Sequence, residues 1–251
     1  MTSSIAITHQ PDLEYLLRLG DTSLILGQRL GEWSGHAPVL EEDIALSNMA
    51  LDLIGQTRAL LTRAGQIAGG QLDEDQLAFL RDERDYRNLT MVELPRGDFA
   101  FAVLRNLFVS TWLKLHWERL RESPDSELAG IAGKALKEAR YHQQHAADWV
   151  VRLADGTDES RCRTQAALAE LWRYVPELFA DADASGLGPA RSALQGPWQE
   201  EIARVFDEAG LEAPAESPFR SHASAGVHTE HMGRLLAEMQ YLQRAYPGGA
   251  W

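Results

Sequence analysis

Two stretches decide how this chain folds: Leu51-Asp52-Leu53-Ile54-Gly55-Gln56 and Lys137-Glu138-Ala139-Arg140-Tyr141-His142. Each lies within a long run of helical periodicity. Around the first, Leu46, Met49, Leu53, Gln56 and Leu60 recur at three- or four-residue steps, and Ala64 and Ile67 continue the stripe. Around the second, Leu128, Ala132, Ala135, Ala139, His142, Ala146, Trp149 and Leu153 step 4-3-4-3-4-3-4. Such spacing places residues on one face of an α-helix. Leu53, Gln56, Ala139 and His142 are therefore expected to point into a shared helical interior.

The flanking sequence supplies the other helices. Pro11 and Asp12 open one that runs to about Leu30, with Leu16, Leu19, Ser23, Leu26 and Leu30 along one face. The stripe through Leu53 belongs to a helix from Glu41 to about Gln66, with acids in its first turn where the helix dipole favours them, stopped by Gly69-Gly70. Asp73 and Gln76 form a capping box for a short helix predicted through Arg84. A long helix follows from Phe99 to about Arg121. Ser123-Pro124 reads as cap and first residue of the next, which Asp155-Gly156 ends. Shorter helices are predicted over about 159–182, 197–209 and 227–245, separated by glycine- and proline-rich turns. The expected class is all-α: an antiparallel four-helix bundle with additional shorter C-terminal helices. Residues 1–251 read as a single domain, with the core bundle over about 9–154 and the appended helices over about 158–247.

Thirty-seven acidic against 24 basic side chains give a formal charge of −13. That surface repels phosphate backbones, which argues against a nucleic-acid partner, and it repels free acyl-CoA unless a basic pocket intervenes. One cysteine, Cys162, leaves no intrachain disulfide and fits a reducing cytoplasm. It sits near Asp158 and Glu159 rather than in the electropositive setting of an activated thiol. Residues 1–8 lack the pattern of a signal peptide, and no apolar run is long enough to span a membrane.

The two opening stretches also carry a chemical signal. In carboxylate-bridged di-iron bundles, two helices each supply Glu-x-x-His and two more each supply one carboxylate. Here the corresponding pairs read Leu53-x-x-Gln56 and Ala139-x-x-His142. Spacing places the two single-carboxylate positions near Ser110 and Ser23, with Asp21 as the nearest acid to the latter. One imidazole without carboxylates cannot balance the charge of two hard irons, so no metal, catalytic or cofactor-binding residue is assigned. Glu138, Tyr141, His142 and His145 share a broad face. They could form a buried polar network with Asp52, Asn48 and Lys114, or Glu138 and His145 could meet solvent or a neighbouring subunit. His228-x-x-His231 has metal-ligand spacing at the start of the last helix but only Glu230 as a nearby acid. Lys137 and Arg140 with Arg58 and Arg63 read either as a basic patch or as the charges a surface helix carries routinely.

At these motifs the chain resembles the PaaC-type subunits of bacterial phenylacetyl-CoA epoxidases, which are multicomponent ring-epoxidising monooxygenases. The resemblance is carried by Gln28-Arg29-Leu30-Gly31-Glu32-Trp33-Ser34-Gly35-His36-Ala37-Pro38, by the two opening stretches, and by Arg81-Asp82-Glu83-Arg84. Leu171-Trp172-Arg173-Tyr174, His228-Thr229-Glu230-His231-Met232-Gly233 and Leu236-Ala237-Glu238-Met239-Gln240-Tyr241-Leu242-Gln243-Arg244 complete it, so that it covers about residues 12–247. The resemblance implies a ferritin-like fold and a structural role beside a PaaA-type catalytic subunit that holds the di-iron centre and binds phenylacetyl-CoA. It further implies a small bridging subunit and a reductase carrying FAD and an iron–sulfur cluster and using NADPH. It assigns no cofactor to this chain.

Three functions follow as expectations. The first is a metal-free scaffold for the catalytic subunit. The second is a di-metal oxygenase built from shifted ligands: Asp21, Asp52, Glu138, His142 and His145. The third is a helical module that binds a CoA thioester. A homodimer is expected as one state of the isolated chain. Trp172, Tyr174, Phe179 and Trp198 are candidates either for an interface or for the core of the appended helices.

Overall fold

A computed structural model describes residues 4–8, 10–181 and 185–249. Four long helices form the bundle: α1 (Pro11–Gly31), α2 (Leu40–Ile67), α5 (Phe99–Leu120) and α6 (Ser126–Ala154). Between the two halves lie the short helices α3 (Glu74–Phe79) and α4 (Thr90–Glu93). After them come α7 (Asp158–Trp172), α8 (Val175–Leu178), α9 (Gln195–Ala209), α10 (Glu230–Met239) and α11 (Tyr241–Ala245). Among the described residues the only strand-like pairing is a single bridge between His222 and Val227. The fold is the expected all-α, ferritin-like bundle.

Long-range contacts define the packing of the four helices. A Cβ on Gly20 would meet Leu60 and Leu61, and one on Gly27 would meet Ala50 and Leu53, so α1 and α2 run antiparallel. Lys114 bonds Gln143 while Arg140 bonds Glu118, so α5 and α6 do too. Gln56 to Glu138 and Arg63 to Asp125 then join the two hairpins along α2 and α6, again antiparallel. Helix α5 is buried on nearly every side from Ala100 to Trp117. A helix apolar all round belongs in the middle, and α7 and α9 cover what α6 leaves bare. Trp198 on α9 donates its indole N–H to the Phe108 carbonyl at 2.9 Å.

Buried carboxylates tie the irregular segments to this frame. Asp21 on α1 makes a bidentate pair with Arg81, one contact of which is 2.9 Å, and accepts from the Arg87 amide at 2.8 Å. Both side chains of the pair are wholly buried. Glu93 accepts from the Thr229 amide at 2.7 Å and pairs with His228 at 2.8 Å. Glu177 accepts from the amides of Thr90 and Ser224, each at 2.9 Å.

Several local expectations need correction. The capping box at Asp73 and Gln76 forms, but its helix ends at Phe79 rather than Arg84. The ending comes where Arg81 turns inward to Asp21. Asp125, not Ser123, caps α6 by accepting from the amides of Glu127 and Leu128. The Ser123 hydroxyl instead donates to the Leu187 carbonyl at 2.7 Å. Late in α6 the buried stripe moves from Trp149 and Leu153 to Val150 and Ala154. A strict seven-residue repeat drifts about 20° per heptad on a straight helix, and α6 follows its true period. The predicted helix over about 159–182 divides into α7 and α8, with Pro176 at the start of the second. Residue 182 lies outside the described residues. The predicted final helix is α10 followed by α11, and it begins at Glu230 with Thr229 as cap.

Candidate functional site

The inward positions inferred from the two opening stretches are inward. Leu53 is 0% exposed, Ala139 and His142 1%, Gln56 4%, and Ser110 and Ser23 1% and 0%. Register places them at one level of the bundle. Asn106 on α5 donates to the Met49 sulfur on α2 at 3.4 Å, and one turn further along these parallel helices lie Ser110 and Leu53. Asp52 and Gln56 reach His142 and Glu138 across the same level of α6.

Around this level three polar links cross from α2 to α6, in addition to the pairs of Arg63 with Asp125 and Glu127 farther along. The Gln56 amide donates to a Glu138 carboxylate oxygen at 2.9 Å. Nε2 of His142 lies 3.1 Å from Asp52, and Nε2 of His145 lies 2.7 Å from Glu42. A carboxylate oxygen accepts, so Nε2 of His142 is the donor in this contact. Burial pushes the His142 pKa below the usual imidazole range, and the Asp52 carboxylate pulls it partly back. Asp52 is itself about a third exposed, so this link stands at the rim of the bundle and not at its centre.

The expected network is thus smaller than its candidate list. Asp52 and His142 pair with each other, Glu138 pairs with Gln56 and His145 with Glu42, so the four do not join into one network. Asn48 is exposed and does not join. Lys114 turns to the other side of α6, bonding Gln143 at 3.3 Å and pairing with Glu201 on α9. Asp21 is committed to Arg81 and does not face His142. The five shifted ligands therefore never converge. His228 and His231 do not form a pair either. His228 is wholly buried, held between Glu93 and the Tyr86 carbonyl, while His231 lies beyond the Thr229 cap near the exposed Glu230.

At the centre, the donors that remain are weak. Among the described residues the Ser23 hydroxyl and the Gln56 carbonyl oxygen have no hydrogen-bond partner, and the Ser110 hydroxyl only approaches the Leu107 carbonyl at 3.4 Å. Two irons need carboxylates to balance their charge and bridge them. Leu53 and Ala139 have no donor atoms, and the hydroxyls and amide bring no charge. Among the described residues, no three of His, Cys, Asp and Glu converge to hold a metal ion. These residues do not fit a di-iron centre.

Sequence reasoning missed two features. Arg105, wholly buried on α5, donates to the carbonyls of Leu94 and Pro95, and burial beside Arg29 lowers its pKa to about 9. An arginine set in the apolar run from Phe99 to Val109 was the available signal. A cavity of about 300 Å³ between α1 and α5 is lined by Tyr15, Arg18, Leu19, Trp112, His116 and Arg191 among others. None of Ser23, Leu53, Gln56, Ser110, Ala139 or His142 lines it. The aromatic candidates resolve to the core: Trp198 and Phe179 are buried, and Trp172 and Tyr174 are partly buried against the core cluster. Cys162 is exposed. Among the described residues, no helix is long and apolar enough to cross a membrane.

The geometry describes a ferritin-like bundle whose four central helices meet around uncharged side chains, and comparison with known proteins gives the lineage of that bundle. The chain belongs to the phenylacetic acid catabolic protein family (PaaA_PaaC), whose model matches residues 2–251. Within that lineage it is similar to the C component of the 1,2-phenylacetyl-CoA epoxidase of Escherichia coli (strain K12). The two are 48% identical over 244 residues, which covers 94% of this chain and 98% of that protein.

Proposed function

We propose that this chain is the non-catalytic structural subunit of a multicomponent phenylacetyl-CoA epoxidase acting in cytoplasmic phenylacetate degradation. In this reading the whole chain is one ferritin-like domain and its interior is a degenerate di-iron site. A PaaA-type sister subunit holds the irons and binds phenylacetyl-CoA. A small bridging subunit joins them, and a reductase with FAD, an iron–sulfur cluster and NADPH supplies electrons.

One observation carries the proposal: the four positions that would present carboxylates hold Ser23, Leu53, Ser110 and Ala139, all buried. A bundle with this interior keeps the rigid shape of its relatives and gives up the cation. The polar links from α2 to α6 support the same reading, because they fasten two helices that a metal pair would otherwise hold together. The similarity to a protein named as one subunit of an epoxidase supports the multicomponent setting.

The test is co-expression with and without the catalytic subunit, followed by turnover of phenylacetyl-CoA. The proposal expects the catalytic subunit to need this chain for solubility or activity. A catalytic subunit that is soluble and fully active alone would contradict it.

A further inference from the structure

The cavity of about 300 Å³ between α1 and α5 lies apart from the degenerate interior, and its walls are chemically mixed. Leu19, Trp112 and Pro189 give it an apolar lining, while Arg18, Arg191 and Tyr15 bring polar groups to the same space. Trp112 is buried, and its indole N–H donates to the Leu178 carbonyl at 2.8 Å, so the ring stands as a fixed flat wall. Ligand pockets run from roughly 300 to 1,000 Å³, which puts this one at the small end. A CoA thioester is far too large for it.

Arg191 is the hub of the polar groups. Its guanidinium is buried and donates one long bond, 3.4 Å, to the Glu177 carbonyl. Among the described residues no carboxylate pairs with it directly. The Glu177 carboxylate is taken up by the amides of Thr90 and Ser224, and Asp181 accepts from the Ser192 amide at 3.1 Å. Burial first, and then the neighbouring Arg18 charge, lowers the Arg191 pKa to about 10, so it remains a cation at neutral pH. Arg18 is held by Glu14 at 3.9 Å. The Tyr15 hydroxyl completes the set: it is buried with no hydrogen-bond partner among the described residues. Burial raises its pKa and the Arg191 charge offsets part of that rise, so it is a neutral donor close to the guanidinium. A Cβ on Gly188 would collide with this hydroxyl, so the glycine preserves the space it occupies.

These groups select a ligand by charge and by shape. A guanidinium binds a carboxylate through two parallel N–H bonds, a neutral hydroxyl donates to the same group, and a fixed indole takes a flat ring. We propose that this cavity binds a small aromatic monocarboxylate, its carboxylate on Arg191 and the Tyr15 hydroxyl and its ring against Trp112. The inference goes beyond the proposed function and does not rest on it, because none of Ser23, Leu53, Ser110 and Ala139 lines the cavity. Its failure would leave the scaffold reading intact.

Calorimetric titration of the full isolated chain with benzoate tests it, beside benzamide and inorganic phosphate. Benzoate should bind at one site per chain, and benzamide and phosphate at least about tenfold more weakly. Arg191→Met should weaken benzoate by about tenfold or more at an unchanged thermal melt, and Arg191→Lys should recover part of the loss. If Arg191→Met does not fold, the Trp112 indole N–H signal of the wild type is followed by NMR instead, and it should shift as benzoate is added. No benzoate binding would overturn the proposal, as would binding that Arg191→Met leaves unchanged or that leaves the Trp112 signal in place. Phosphate as tight as benzoate would mean a site for any anion, and benzamide as tight would mean that the charge is not recognised; either result contradicts an aromatic carboxylate.

Discussion

Replacing Leu53 with glutamate puts a carboxylate back at the first position of the Leu53-x-x-Gln56 pair and asks whether the interior can hold it. Leu53 is wholly buried on α2, packed across from Gly27 on α1. Losing its apolar burial costs about 2–3 kcal/mol. The carboxyl cannot stay ionised there without a cation, so folding must protonate it. From an ordinary glutamate pKa near 4.3, that costs about 3.7 kcal/mol at pH 7 and about 1 kcal/mol at pH 5. The sign follows from linkage: the unfolded chain releases the proton that the folded chain must keep, so the penalty shrinks as pH falls. Leu53→Gln loses the same packing but carries no titratable group. Urea unfolding of both variants at pH 7 and pH 5 isolates the charge. Leu53→Glu should be destabilised relative to Leu53→Gln by about 2.5 kcal/mol more at pH 7 than at pH 5. Ferrous or manganous ions should not remove the difference. If the two variants behave alike at both pH values, or a divalent cation rescues Leu53→Glu at pH 7, the interior is open or cation-competent and the reasoning fails.

Other outcomes follow from the same interior. Burial holds the His116 pKa at about 3, and its Nδ1 donates to the Trp112 carbonyl. Folding therefore excludes a proton that the unfolded chain takes up near pH 6.5. Stability is full above that pH and falls by about 2 kcal/mol between pH 7.5 and pH 5, a loss that His116→Asn should remove from urea titrations. Asp21→Ala strands the wholly buried Arg81 and should cost about 3–5 kcal/mol in chemical denaturation, with the further Arg81→Met change returning part of it. Asp52→Asn removes the charge that draws the His142 pKa upward, so the His142 midpoint followed by NMR should move down. An upward movement would mean that the Asp52–His142 contact is absent in solution.

The sequence made the frame legible where apolar spacing is regular. The stripes through Leu53 and His142 identified two of the four long helices and the side each turns inward, because burial acts on every residue of a stripe at once. Helix ends were harder. Asp125 outcompetes Ser123 as the cap of α6 because its carboxylate reaches two amides while the serine is drawn to the Leu187 carbonyl of a distant segment. Long-range partners set the polar interior as well. Nothing local tells that Asp21 belongs to Arg81, sixty residues away, or that Lys114 turns to Glu201 on α9. Asp52 to His142 was within reach of sequence reasoning because both flank the same inferred level. The exposed face of α2 was visible as Leu40, Ile44, Leu51 and Ile54, but a row of apolar residues reads as core until the packing shows which side is occupied.

The central proposal is that this chain's bundle carries no di-iron centre and that a sister subunit holds it. Anaerobic loading of the purified chain with ferrous iron, desalting and elemental analysis tests it most directly. Retained iron should be far below one atom per chain, and the complex with the catalytic subunit should retain its iron unchanged when Glu138→Ala and His142→Ala are introduced here. About two irons per chain in the isolated protein, lost in those two variants, would contradict the account.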